Sequence, residues 1–372
     1  MKSNAPRAWP RRETTMAAAL MAFAGIAGAQ ESHVQLFGSI NASLVHQSNQ
    51  ATGSGSRMSS GPWSASTFGL RGTEDLGGGM HASFRFESGW DLTQGLAGAT
   101  VAGASKFWDR AAWVSLDNTM FSLTGGRQLH AGVDRIVETL DVFYANANKT
   151  VLFPLVPNAT NAFGGFDTRV DNAVKLRAKL PANATVGVSY GFSSATSGKS
   201  VSVDAGWQTK EFGLGAYAID YNHPTAQMHQ RVWGLGGNYL LGPVRLYVHY
   251  MNARHDRPTG IRQSDGVWSL GAAYSISPAV TLRAAYYRDS GKDVGGVAGM
   301  AGKRDSFALM GDYALSKRTS INAGVFHGGL SGAFKTDPVS LALLGLVDLQ
   351  AKPPVISGSS STGFAVGISH RF

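Results

Sequence analysis

Asp134, Glu138 and Asp141 lie in the stretch AGVDRIVETLDVFYANA, spaced by four and then three residues. That spacing predicts three carboxylates on one face of a short helix. It also fits a solvated acidic face on a surface loop. Further on, TRVDNAVKLRAKL alternates like a strand. Arg169, Asp171, Ala173, Lys175, Arg177 and Lys179 fall on one face, and Val170, Asn172, Val174, Leu176, Ala178 and Leu180 on the other. A face with four basic side chains belongs in water. Carboxylates and guanidinium groups can hold and steer charged solutes without any covalent step. The sequence offers no partner for covalent chemistry. Its ten histidines show no metal-ligand spacing, GLGG and GGVAGMAG lack the strand-to-helix setting of a phosphate loop, and no serine stands in a nucleophile motif. No enzyme, metal or cofactor is therefore expected.

The elements that hold these residues sit in an exported chain. A basic start, KSNAPRAWPRR, precedes a short apolar run and the small residues Ala27-Gly28-Ala29, which predicts a cleaved signal peptide at 1–29. Removing Lys2, Arg7, Arg11, Arg12 and Glu13 with it lowers the formal charge from +9 to +6. The remaining basic residues are scattered singly, not gathered into a patch, so nucleic acid is not expected as a partner. There is no cysteine, and the chain after residue 29 has no apolar run long enough for a membrane helix. The 47 glycines would weaken soluble strands, but they suit sheets whose backbones bend and pack closely.

Sixteen strand-like segments follow, from 34–46 through 169–180 to 362–372. Short and long connections alternate along the whole chain. Tight turns carry LGG, DN, PAN, TK, LGP, SP and SK, while SNQATGSGSRMSSGP and SGKDVGGVAGMAGK are longer. A soluble sandwich has no reason to sort its loops in this way. A membrane barrel does, with short turns on one side, long loops on the other and an even strand number. Trp207, Trp233, Tyr239, Tyr250, Tyr274, Tyr286, Tyr287 and Tyr313 then read as an interfacial girdle. One connection, 128–168, runs 41 residues without a clear strand, a length usually reserved for function. The chain ends GFAVGISHRF, with Phe372 closing an alternating strand.

VQLFGSINASL, STFGLRGTEDLGGGMHASFRFESGW, FWDRAAWVSL, GGRQ, RVDNAVKL and the terminal GISHRF resemble the general porins of beta-proteobacteria. The resemblance covers residues 30–372. It implies an all-β fold, a 16-stranded antiparallel transmembrane β-barrel with a long third loop folded inward. It implies an outer-membrane homotrimer among lipid and lipopolysaccharide, passing small hydrophilic solutes and ions. Phe372 is implied as the signal read by the barrel assembly machinery, after periplasmic chaperones have delivered the chain. Aligned motifs place Arg71, Arg110, Arg127, Arg169 and Arg177 on the wall opposite Asp134, Glu138 and Asp141, as a pore constriction. Thr67 and Ser39 stand where such chains often carry arginine and lysine, which implies a thinner basic wall. A substrate-specific channel and a barrel lipase are the alternatives. Lumen residues dominated by Arg, Lys, Ser and Thr, without an aromatic slide, favour the general pore.

Overall fold

In TRVDNAVKLRAKL and its counterparts the period of two makes one face fit for hydrocarbon and the other for water, which only a closed sheet can exploit inside a membrane. A computed structural model describes residues 33–51, 53–61, 63–101, 104–143, 168–194, 198–223, 229–256, 259–348 and 354–372. The expected signal peptide and residues 144–167 of the long connection lie outside these. Sixteen strands form one antiparallel barrel. They are β1 (His33–Gln47), β2 (Thr67–Gly77), β3 (Met80–Asp91), β4 (Ala111–Asp117), β5 (Phe121–Leu129), β6 (Arg169–Leu180), β7 (Ala184–Gly191) and β8 (Ser200–Gln208). The second half comprises β9 (Phe212–Asn222), β10 (His229–Leu241), β11 (Val244–Asp256), β12 (Arg262–Ser275), β13 (Val280–Lys292), β14 (Ala301–Ala314), β15 (Thr319–Gly332) and β16 (Ser360–Arg371). Each pairs with its neighbours in the chain, and β1 closes the circle by pairing with both β2 and β16.

The closing seam explains the terminal aromatic residue. Along it Ser39 lies opposite Arg371 and Gln47 opposite Gly363. The Phe372 and Gly38 amides each donate to the other residue's carbonyl at 3.1 Å. A Cβ on Gly38 would meet the Phe372 ring at 2.5 Å, so the ring lies on the bare backbone of that glycine. Phe372 is therefore held in the barrel by both its backbone and its ring.

Strand β11 shows the two faces. Leu246, Val248 and Tyr250 point outward, whereas Tyr247, His249 and Met251 are buried inside. Trp207, Tyr239, Tyr274 and Tyr313 mark the lipid boundary near the short turns, and Trp233, Tyr250 and Trp268 make an upper row with ring centroids 5.6 and 4.9 Å apart. Tyr287 departs from the expected girdle. It faces inward and is buried, and its hydroxyl donates to Asp141 at 2.8 Å.

Two segments from the outer connections cover parts of the inner wall. The first, α1 (Ala131–Arg135), continues into a wider π-type turn over Ile136–Leu140. Its free backbone groups are satisfied by the wall. The Ala131 and Gly132 amides donate to Ser189 and Ser202 at 3.1 and 2.9 Å, and Asn238 donates to the Thr139 carbonyl at 2.8 Å. Val133, Ile136, Leu140, Val142 and Phe143 join Tyr217, Ile219, Tyr247 and Met251 in one apolar cluster. Glycines make the room, since a Cβ on Gly206 would lie 2.2 Å from the Arg135 guanidinium carbon.

The second segment was not legible as an element in the sequence. After β15 the chain forms α2 (Pro338–Leu343), started by proline and by Asp337, whose carboxylate accepts the Ser340 amide at 2.8 Å. Leu341, Leu344 and Leu346 are fully buried in a cluster with Val45, Phe326 and Leu330 of the wall. Gln50 donates to the Leu344 carbonyl at 3.2 Å, and the Ala51 amide to the Gly345 carbonyl at 2.9 Å. One arc of the inner wall, β8 to β11, thus carries α1, and another, at β1, β15 and β16, carries the last connection.

Candidate functional site

A cavity of about 550 Å³ opens along the arc left uncovered, against β3, β4, β5, β6 and one side of α1. Arg85, Arg110, Arg169, Lys175 and Arg177 line it, with Glu87, Asp117 and Asp134 as its acids. Alternation places them: Ser83, Arg85 and Glu87 share the inner face of β3, and Ser115 and Asp117 that of β4.

On one side a single buried carboxylate holds two cations. Arg110 Nε donates to Glu87 Oε1 at 2.7 Å, and Arg85 Nε to Oε2 at 2.8 Å. The Arg85 guanidinium also lies 4.6 Å from the Phe37 ring centroid. Arg169 is held beside them, donating to the Arg110 carbonyl at 3.0 Å. On the other side the helix meets the wall. Lys175 Nζ donates to Asp134 at 2.6 Å, and Arg177 donates to Glu138 at 2.6 Å and to Asp204 at 3.0 Å. Arg135, buried between helix and wall, donates to the same Asp204 at 2.7 and 3.0 Å.

The acids of the long connection and the basic wall are therefore in direct contact at Asp134, Glu138, Lys175 and Arg177, where the resemblance placed them across a gap. Asp141 parts from the other two acids. The helix ends at Leu140, and Asp141 is extended, fully buried and bonded to the Phe143 amide at 2.9 Å and to Tyr287. Its three-residue spacing from Glu138 has no helix left to act on.

Arg127 does not line the cavity. It pairs with Asp171, which also holds Lys106, and donates to the Asp109 carbonyl at 2.7 Å. A β-bulge between Val170 and Ala173 is the cause on the β6 side: it breaks the strict alternation that put Asp171 on one face with Lys175 and Arg177. Arg71 lies opposite Arg85 in register, off the cavity, and its guanidinium donates to Gln35 at 2.8 and 3.0 Å. Ser39 and Thr67 face each other, hydroxyls 3.4 Å apart, and add no charge.

Sequence reading missed Arg85 and Glu87, although ASFRFESGW carries the alternation that would have shown them. It placed Lys175 on the basic face without making it a site residue. Arg135 had no signal, because its burial depends on glycines in distant strands.

Glu138 stands outside the strands, with about half its side chain open to the lumen. Burial pushes its carboxyl above the ordinary glutamate range, Arg177 opposes the rise, and Asp134 adds to it. Among the described residues no group of three His, Asp or Glu side chains could hold a metal ion.

The family pattern described as Gram-negative porin matches residues 16–331. Outer membrane porin protein 32 of Delftia acidovorans is 27% identical over 97% of this chain and 100% of its own length. An outer membrane porin protein of Bordetella pertussis is 25% identical over the same shares. Among solved structures, an anion-selective porin from Comamonas acidovorans superposes with a TM-score of 0.73 at 22% identity, covering 92% of this chain and 100% of that one. OmpT of Vibrio cholerae superposes with a TM-score of 0.67 at 13% identity, covering 93% and 100%.

Proposed function

The chain belongs to the Gram-negative porin family and forms an outer-membrane diffusion channel, and from that premise we propose a general, weakly anion-preferring pore whose throat is the cavity between β3–β6 and α1. The observation that carries this is the lining charge, five basic side chains against three acidic ones, with Glu138 at the edge, bonded to Arg177, as a fourth acid. Charges farther than a Debye length, about 8–10 Å at ordinary salt, are screened, so the lining and not the net charge sets preference. In a narrow polar throat such an excess raises the local anion concentration and aligns dipolar solutes. The Comamonas acidovorans porin of similar fold is anion-selective, which agrees in sign. Arg71 and Arg127 act in this reading as supports of the neighbouring wall, and Asp141 anchors the long connection to β13. The trimeric form of Vibrio OmpT supports a homotrimer. The sequence pattern supports export by the 1–29 signal and cleavage before residue 30.

Liposome swelling tests the general pore. Influx of neutral sugars should fall smoothly with solute size and rise linearly with concentration. A flux that saturates for one sugar would instead identify a substrate-specific channel.

Glu138 gives a pH dependence. Because its carboxyl titrates above the usual range, it loses its charge early as pH falls, and Arg177 is then less compensated. Anion preference should strengthen on mild acidification, before ordinary carboxylates protonate. Glu138→Gln should show the stronger preference already at neutral pH and lose that early step. Reversal potentials measured at a series of pH values check both statements.

A further inference from the structure

A second cavity, of about 430 Å³, lies on the side of the short turns, among the 276–279 turn, the 315–318 turn and the end of β16. Arg283, Lys317, Arg318 and Arg371 line it with one acid, Asp312. Arg283 is already committed to Asp312 by an ion pair, and both are largely buried. Lys317, Arg318 and Arg371 are exposed. The backbone holds two of them together, because the Arg371 amide donates to the Arg318 carbonyl at 2.8 Å. The Ser316 and Ser320 hydroxyls also line it, while Ser369, paired with Ser320 across β15 and β16, already donates its hydroxyl to Asn41. Lumen-facing alternation along these strands directs Ser369 and Arg371 to the same inner face.

We propose that this periplasmic mouth is a binding station for polyvalent oxyanions such as pyrophosphate, and that it makes the pore electrically asymmetric. Three cations beyond the Arg283–Asp312 pair share one concave space. Guanidinium groups and hydroxyls together match the donor needs of a phosphate-type anion, which accepts on several oxygens at once. A monovalent anion gains only one charge's worth of attraction there and passes on. A polyvalent one gains several times as much and lingers, obstructing the current. The outer half of the lumen is occupied by α1 and by the last connection, so the two ends of the pore present different fields. This station requires an open channel but not the anion preference of the throat, since the two cavities share no residue.

The test uses single trimers in phosphatidylcholine bilayers, which present no anionic headgroup, at low ionic strength. Pyrophosphate is added to one compartment and, after washing, to the other. Half-block is expected at a concentration at least about threefold lower from one side, the gap closing as salt rises. Lys317→Ala with Arg318→Ala, both in an exposed turn, should abolish the difference, while Lys210→Ala in another short turn should leave it. Equal block from both sides in the wild type overturns the proposal. So does sidedness that survives the double substitution, or that appears only when anionic lipid is added, which would assign these cations to the membrane surface. Reversal potentials from the same bilayers report the throat separately, so loss of anion preference there leaves this result standing.

Discussion

Excision of residues 131–167, with His130 joined to Thr168 by a short turn, raises single-channel conductance on the order of twofold, by widening the polar path. The ends of the excised segment are already adjacent, because the His130 amide donates to the Thr168 carbonyl at 3.3 Å and Leu129 pairs with Arg169. The barrel below the cut keeps its ladder. What is lost is the apolar seal of α1 on β8 to β11. Uncovering Tyr217, Ile219 and Met251 costs about 1.5–3 kcal/mol for each large side chain. A sixteen-stranded closed sheet can bear this, because its backbone hydrogen bonds do not depend on the seal. Conductance of the purified protein in planar bilayers gives the answer. An unchanged value from a correctly folded barrel would mean that the segment does not restrict the current.

Removal of Phe372 should cause a several-fold loss of folded protein in the outer membrane, larger than any lumen substitution produces. The deletion takes away the ring seated on Gly38 and both hydrogen bonds that finish the β1–β16 seam. It also removes the residue that the family resemblance makes the assembly signal. The two contributions separate by substitution. Phe372→Ala keeps the backbone pair and loses the ring, whereas Phe372→Tyr keeps both. Heat-modifiability gels of membrane fractions should order these as wild type and Tyr highest, Ala lower and the deletion lowest. Equal amounts in all four would refute a role for the terminal ring.

The barrel was legible because its cause is local. A two-residue period, sixteen segments and alternating connection lengths follow from putting a closed sheet in hydrocarbon, and the segment at 169–180 reappears as Arg169–Leu180. The site was legible only in part, because most failures came from something beyond the strand period. Asp171 was displaced by a bulge whose extra residue, Asn172, sits at positive φ, whereas Arg127 is off the cavity because regular alternation along β5 gives that face to Ser122, Thr124 and Gln128. Asp141 left its helical face because the helix stopped one residue earlier. The inner apolar patches at Phe326 and Tyr217 read as blemishes in a polar face until the covering segments are seen. Then Leu344 and Ile136 explain them, each joining its patch from far away in the chain. Glycine usage has the same origin. A Cβ on Gly328 would meet Leu344 at 2.6 Å, so a small residue there reports a partner that the local sequence does not name.

The central claim is that ions pass between β3–β6 and α1 and are sorted by the charges lining that path. The most direct test is the reversal potential across a potassium chloride gradient, for the wild type and for Arg85→Ala with Lys175→Ala. The wild type should show a modest anion preference that shrinks as salt rises. The double substitution removes two of the five lining cations, so the potential should move toward the cation side, while Arg71→Ala, whose side chain lies off the cavity, should move it less. Strong cation selectivity in the wild type, or a potential unmoved by Arg85→Ala with Lys175→Ala, would contradict the account.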